Sequence, residues 1–163
     1  SAMNRYLVIL PLLSAFAAAQ SDREVIVDDP TIRVELYAMD LFRSGNLTSG
    51  LEFVFHDTGH CIIPIAPPLY DEGATAMFVG TGETMLPLAP LGLDGWLLVD
   101  PVLASVANPS GVPLWIPFGS YLAGLDVYFQ SASLWINPDG GDPKWEVSFS
   151  HGMRVTFGNE YPS

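Results

Sequence analysis

The chain has 163 residues, of which 49% are hydrophobic and 15% charged, with 15 glycines and 14 prolines. This composition excludes disorder for most of the chain and is typical of many short strands joined by Gly/Pro turns. The formal net charge of −12 excludes nucleic acid as a partner, because an acidic surface repels phosphate.

The N-terminal segment predicts export from the cell. Residues 1–19 combine a cloning scar with the layout of a secretory signal peptide: Arg5 supplies the positive start, residues 6–16 are apolar, and residues 17–19 are alanines. The apolar run is shorter than the roughly 20 residues of a membrane span. We therefore expect no membrane span after cleavage and a single mature domain over residues 20–163. An ordinary N-terminal helix or anchor is the alternative.

The rest of the chain carries repeated strand signals. In residues 31–39, for example, Ile32, Val34 and Leu36 alternate with polar positions. Clusters rich in Gly, Pro, Asn and Asp separate ten such segments. They predict an all-β fold, an antiparallel β-sandwich of jelly-roll or Ig-like type. The ten segments are residues 24–27, 31–39, 50–56, 60–66, 74–80, 95–100, 112–118, 124–136, 144–150 and 153–158.

Alternation also predicts which way some side chains point. Val127 and Phe129 are expected to face the core, which leaves Tyr128 and Gln130 facing solvent. Trp145 shares a face with other apolar residues of its segment and is expected in the core.

The stretch FHDTGHC, residues 55–61, holds two of the three histidines and the only cysteine. Its Asp-Thr-Gly suits a three-residue hairpin loop, which would make His56 and His60 a cross-strand pair. Facing imidazoles could bind copper or zinc, and His151 would join them if the C-terminal strand lay beside the hairpin. Cys61 would point to the opposite face from His60 and is more typical of a small buried side chain. The alternative interpretation is a polar turn without metal.

A second candidate metal site lies in the sequence NPDGGD. Asn137, Asp139 and Asp142 are oxygen ligands of the kind that Ca²⁺ takes. The alternative is a plain hairpin turn, because Asn, Asp and Gly are also the commonest turn residues.

Catalytic motifs are missing from the sequence, which has neither G-x-S-x-G nor H-E-x-x-H. The sequence therefore favours a protein that is not an enzyme. Aromatic residues offer another role: Trp115, Tyr121 and Tyr128 could stack on sugar rings if they line one surface. Packing in the core is the alternative for these rings.

The second half of the chain, about residues 76–158, resembles a β-rich domain of secreted planctomycete-type bacterial proteins of unknown function. The resemblance implies a β fold and a secreted location, and it carries no catalytic residues over to this chain. Trp96 departs from the pattern, since a cysteine is frequent at that position. The motifs that carry the resemblance are Leu86-Pro87-Leu88, Leu98-Val99-Asp100-Pro101, Ile116-Pro117, the stretch from Gly124 to Gln130, and Ser150 to Gly158.

These observations predict a secreted, non-catalytic binding or structural module that is extracellular or on the cell surface. It would self-associate into a homo-oligomer or attach to a surface assembly, and it requires no cofactor. Two alternatives remain open. One is a module that binds polysaccharide through exposed Trp and Tyr, and the other is a small copper or zinc metalloprotein or enzyme centred on His56 and His60.

Overall fold

A computed structural model describes residues 22–39, 51–56, 61–65, 74–107, 114–115, 122–137 and 144–158. Within these ranges the chain forms strands and a 3₁₀ helix at Ala89–Leu91. The predicted all-β antiparallel sandwich is confirmed. The strands are β1 (Arg23–Asp29), β2 (Ile32–Tyr37), β3 (Glu52–His56), β4 (Cys61–Ile65), β5 (Ala74–Gly80), β6 (Glu83–Pro87), β7 (Trp96–Val99), β8 (Val102–Ala107), β9 (Leu114–Trp115), β10 (Asp126–Asn137), β11 (Lys144–Phe149) and β12 (Gly152–Phe157).

A seven-stranded antiparallel sheet forms the centre of the fold, in the order β1-β2-β12-β10-β5-β8, with β11 also paired to β10. Strand β10 is long enough to serve two neighbours along one edge. Its residues 126–129 pair with β12 and its residues 132–137 pair with β11, while β5 occupies the opposite edge. The break between β11 and β12 is bridged by Ser150, whose hydroxyl oxygen accepts a hydrogen bond from the Ser131 amide at 2.8 Å.

One face of this sheet, which we call the core face, carries the apolar residues that the alternation predicted. A second sheet, in the order β3-β4-β9, covers it. Leu51, which precedes β3, is buried in this cluster, and Phe53 in β3 packs against it. The resulting apolar layer is the core of the sandwich. Its buried members on the large sheet are Ile32, Val34, Leu36, Met77, Phe129, Met153, Val155 and Phe157.

The opposite face, which we call the hairpin face, is covered by the two-stranded hairpin β6–β7. Leu88 and Leu98 of this hairpin region are buried against Tyr37, Tyr128 and Phe149 of the large sheet. The large sheet is therefore covered on both faces, by the second sheet on one side and by a hairpin on the other.

This second cover corrects two predicted orientations. Tyr128 and Gln130 do point away from the core face, but they lie beneath the hairpin and are only 8% and 0% exposed. Trp145 was expected in the core and is instead 62% exposed. It lies near the start of β11, paired with Ile136, and only Val147 and Phe149 further along β11 reach the cluster beneath the hairpin.

Strands β6 and β8 were not among the predicted segments. The sequence of β6, ETMLP, lies between Gly82 and Leu88 and does not alternate in polarity. The sequence of β8, VLASVA, is exposed on both faces and therefore has no inward and outward pattern to detect. In the described part of the chain, no helix is long and apolar enough to cross a membrane.

Candidate functional site

Gln130 holds the β6–β7 hairpin on the large sheet. Its side-chain Oε1 accepts a hydrogen bond from the Leu98 amide at 2.9 Å, and its Nε2 donates to the carbonyl oxygens of Trp96 at 2.8 Å and Ser150 at 3.2 Å. Strand β7 pairs with β6 in its backbone ladder. The amide of Gln130 thus satisfies β7 backbone groups that a neighbouring strand would otherwise satisfy.

Tyr37 makes a second connection to the same strand. Its hydroxyl donates a hydrogen bond to the Leu98 carbonyl oxygen at 2.9 Å. Its ring lies over Gly152 on β12, where an added Cβ would collide with the ring. Tyr37 also meets Tyr128 edge to face, with ring centroids 6.2 Å apart and an interplanar angle of 76°. Burial raises the pKa of Tyr37, so this hydroxyl stays protonated and remains a donor.

A group of charged residues continues along the hairpin face beside these aromatic rings. We call it the ion-pair network, and its charges balance, three arginines to three acids. Arg23 Nη1 lies 2.7 Å from Glu35 Oε1, and Arg23 Nη2 contacts both carboxylate oxygens of Glu83 at 2.6 and 2.8 Å. Glu83 belongs to β6, so this contact also ties the hairpin to the sheet. The network consists of Arg23, Arg33, Glu35, Glu83, Asp126 and Arg154.

The second half of the network centres on Asp126. Its two carboxylate oxygens accept hydrogen bonds from Arg154 Nη2 and Thr156 Oγ1, each at 2.6 Å. Burial opposes the ionisation of Asp126, but the bonds from Arg154 and Thr156 outweigh it and hold its pKa below the usual value. The Arg154 guanidinium lies over the Tyr128 ring, 5.8 Å from the ring centroid.

Hydrogen bonds also outweigh burial in setting the pKa of Arg23. Burial acts to lower its pKa, but hydrogen bonds to Glu83 and Glu35 dominate and raise it. Its guanidinium also lies 5.4 Å from the Tyr37 ring centroid. Because these charged groups neutralise one another, the arrangement stabilises contacts between strands and the hairpin and does not resemble an acid–base pair poised near neutral pH.

The predicted histidine pair has a different register in the structure. Strands β3 and β4 pair His56 with Cys61, not with His60, and β9 in turn pairs Trp115 with Cys61. The expected pairing of His56 with His60 across a three-residue loop was therefore wrong in register. His60 lies outside the described residues, so copper or zinc binding there stays a prediction.

His151 lies at the junction of β11 and β12, where its Nε2 accepts a hydrogen bond from the Leu51 amide at 3.4 Å. Burial lowers the pKa of this imidazole, and the bond from Leu51 requires the neutral ring. Leu51 precedes β3, whereas His56 ends it, about 16 Å away by the rise of an extended strand. The structure therefore does not bring His151 to His56.

The remaining predicted ligands are only partly described. Asn137 is the last residue of β10 and pairs with Lys144, while Asp139 and Asp142 lie outside the described residues, so calcium binding stays a prediction. Among the residues that the structure does describe, no three His, Cys, Asp or Glu side chains form a group that could hold a metal ion.

The predicted sugar-stacking residues Trp115 and Tyr128 lie on different sheets. Trp115 lies in β9 and belongs to the second sheet, whereas Tyr128 lies beneath the hairpin on the large sheet. Tyr121 lies outside the described residues. Tyr128 packs against Tyr37 and Arg154 and presents no open ring face to a ligand.

Strand β8 is the surface that the sequence did not reveal. It pairs with β5 along one edge of the large sheet, and all six of its residues are exposed. Leu103 is 63% exposed and Val106 is 38% exposed. None of the six residues carries a charge, in a protein with a net charge of −12. An uncharged, apolar edge strand is a template for pairing with another strand.

The chain matches no protein-family model, no curated protein and no solved structure.

Proposed function

We propose that this protein is a secreted, non-catalytic module that acts outside the cell as a binding or structural element, with strand β8 as its attachment edge. The observation that supports this proposal is that all six residues of an uncharged strand at the end of the large sheet are exposed. Edge strands in soluble proteins are usually protected by charges, prolines or covering segments. An unprotected edge suits main-chain pairing with a partner strand.

The ion-pair network supports a structural role. Arg23 joins β1, β2 and β6, and Arg154 joins β12 to β10. Together with Gln130, these contacts fix the hairpin and the outer strands as one platform. Strand β8 is held in an extended conformation by its ladder with β5 before a partner arrives, which reduces the ordering cost of binding.

The N-terminal segment supports secretion. It has a positive residue, a short apolar run and three alanines, and the rest of the chain is strongly acidic. All 18 acidic residues lie beyond residue 19. Such a charge favours solubility outside the cell and disfavours adsorption to anionic lipid.

Export is tested by expressing the full chain in its own host and sequencing the N-terminus of the protein in each cell fraction. We expect the protein outside the cytoplasm with a new N-terminus near Gln20. A matched Leu10→Arg variant interrupts the apolar run and should remain inside. Recovery of the intact chain from the cytoplasm in both cases would argue against secretion.

Attachment is tested by measuring how much exported protein stays with the cell surface. Ser105→Lys puts a charge in the middle of β8, and Val25→Lys is the matched control on the opposite edge strand, since Val25 is similarly exposed at 41%. We expect Ser105→Lys to release the protein into the medium and Val25→Lys to be retained. Equal retention of both variants and the wild type would contradict a role for β8.

A further inference from the structure

The edge of β8 that pairs with no other described strand has a pattern of side chains that suits a second copy of the same strand. Ala104 and Val106 are opposite Val79 and Met77 of β5 and therefore lie on the core face, whereas Ser105 is opposite Phe78 and lies on the hairpin face. The ladder shifts register between Val79 and Gly80, where β5 meets the start of β8. The regular part of the strand therefore runs from Ala104 to Ala107.

A two-fold axis perpendicular to a sheet relates two antiparallel strands and keeps each face on its own side. Directly opposite residues of an antiparallel pair point to the same face. The axis must therefore lie midway between one residue and the same residue of the second copy. A centre at Ser105 keeps the pairing within the regular part of β8. It places Ser105 opposite Ser105 of the second copy, and Ala104 opposite Val106 of the second copy.

This register is self-complementary in chemistry. On the core face, small and branched apolar residues meet each other and extend the row that Met77 and Val79 begin on β5. On the hairpin face, two serine hydroxyls meet and can form a hydrogen bond. The contact therefore leaves no charge unpaired and opposes no like charges.

Charge distinguishes this edge from the other end of the sheet. Strand β1 carries Arg23, Glu24, Asp28 and Asp29 within its seven residues. The equivalent two-fold pairing of β1, centred on Ile26, would place Glu24 opposite Asp28 of the second copy twice and Arg23 opposite Asp29 twice, and its centre falls where the β1 register is irregular, between Val25 and Val27. Two copies of a chain with a net charge of −12 repel each other over most of their surfaces. Strand β8 carries no charged side chain, so this repulsion is weaker at its edge.

We propose that β8 pairs antiparallel with β8 of a second copy across a two-fold axis at Ser105, joining the two large sheets into one continuous sheet. This inference rests on the proposed function, because it names the partner of the same attachment edge. Each chain has a single β8, so the pairing closes at a dimer and does not continue into a fibre.

The test is sedimentation equilibrium of the purified protein over a wide concentration range. For the wild type we expect the average mass to rise from the mass of one chain towards twice that value. Ser105→Lys and Ser105→Glu each place like charges opposite each other and should stay at the mass of one chain. An equimolar mixture of the two variants should dimerise again, because a lysine then faces a glutamate. Val25→Lys should behave as the wild type does.

A crosslink gives a second measurement that introduces no charge. In a Cys61→Ser background, Ser105→Cys should form an oxidised dimer, since opposite Cβ atoms in an antiparallel pair approach disulfide distance. Val25→Cys in the same background should not. Circular dichroism and urea unfolding establish that each variant is folded.

A wild-type mass that stays at that of one chain at every concentration would overturn the inference. Association that is unchanged by Ser105→Lys would also overturn it, because the contact would then lie elsewhere. The surface-retention experiment separates this failure from that of the proposed function. If Ser105→Lys loses retention while the wild type is monomeric, β8 binds a different partner and the attachment role stands.

Discussion

Replacing Gln130 by leucine removes the polar contacts that hold β7 on the large sheet while keeping the side chain similar in size. Three backbone groups lose their partner: the Leu98 amide, the Trp96 carbonyl and the Ser150 carbonyl. An unsatisfied buried polar group costs about 1–3 kcal/mol. The bond to Ser150 is the longest of the three, at 3.2 Å, and should contribute least.

At about 2 kcal/mol each for the Leu98 and Trp96 groups and about 1 kcal/mol for the Ser150 carbonyl, these losses amount to about 5 kcal/mol, and the added apolar burial of leucine returns about 1 kcal/mol. We therefore expect Gln130→Leu to lower the free energy of unfolding by about 3–5 kcal/mol. This is a large part of the 5–15 kcal/mol that is typical of a domain. Urea denaturation followed by far-UV circular dichroism measures the change, and hydrogen exchange measures the protection of the amides in β6 and β7.

Ser131→Ala is the control for this experiment. Ser131 is the next residue on β10 and is equally buried, but its hydroxyl finds no hydrogen-bond partner in the described part of the chain. Its removal should change stability by no more than about 0.5 kcal/mol or should stabilise the fold. A loss below 1 kcal/mol for Gln130→Leu, with β7 amides still protected, would refute the idea that the Gln130 amide holds the hairpin.

Three further predictions concern other parts of the molecule. Gly152→Ala forces a Cβ into the Tyr37 ring and should cost about 1–3 kcal/mol, and a double-mutant cycle with Tyr37→Leu should recover part of this loss. Because the pKa of His151 is lowered in the folded state, the unfolded chain binds a proton below about pH 6.5 that the folded chain does not. The contribution of His151 to stability should therefore be full above that pH and should fall by up to about 1.4 kcal/mol per pH unit below it, and His151→Gln should remove this dependence in urea titrations at pH 7.5 and 5.5. Elemental analysis should find no stoichiometric copper or zinc, and an ion that raises the melting temperature and is lost on replacing His56 and His60 by alanine would support a metal centre instead.

The core face could be predicted from the sequence because its residues alternate with polar ones. Ile32, Val34 and Leu36 are buried as expected, and so is Phe129. Alternation reports which residues share a face, and that inference held for both faces of β10. What it does not report is whether a polar face is covered.

Tyr128 and Gln130 illustrate this limit. Their polar atoms are typical of a solvent-facing row, yet the hairpin lies over them and their polar groups are used within the fold. The cover itself was difficult to detect, because β6 does not alternate. The ion pair between Arg23 and Glu83 joins residues that are far apart in sequence. It forms only because the hairpin folds back onto the large sheet, and no local sequence pattern predicts that arrangement.

The candidate interface was missed for a related reason. Strand β8 has both faces exposed, so burial imposes no order on its apolar residues. The register of the β3–β4 hairpin was also set differently from the turn chemistry that the sequence suggested, with His56 opposite Cys61. Turn residues at 57–60 allow more than one loop length, and the pairing of the whole strand decides between them.

The attachment of the β6–β7 hairpin through side chains has a practical consequence for labelling the protein. Its connection contains Leu91, whose side chain is 73% exposed, whereas the neighbouring Gly92 has a left-handed φ of +75° that other residues rarely adopt. The hairpin shares no backbone ladder with the large sheet in the described residues, so a peptide tag or fluorophore at this tip would leave the sheet registers unchanged. The tip therefore offers a position for a probe that can follow the protein through export and assembly.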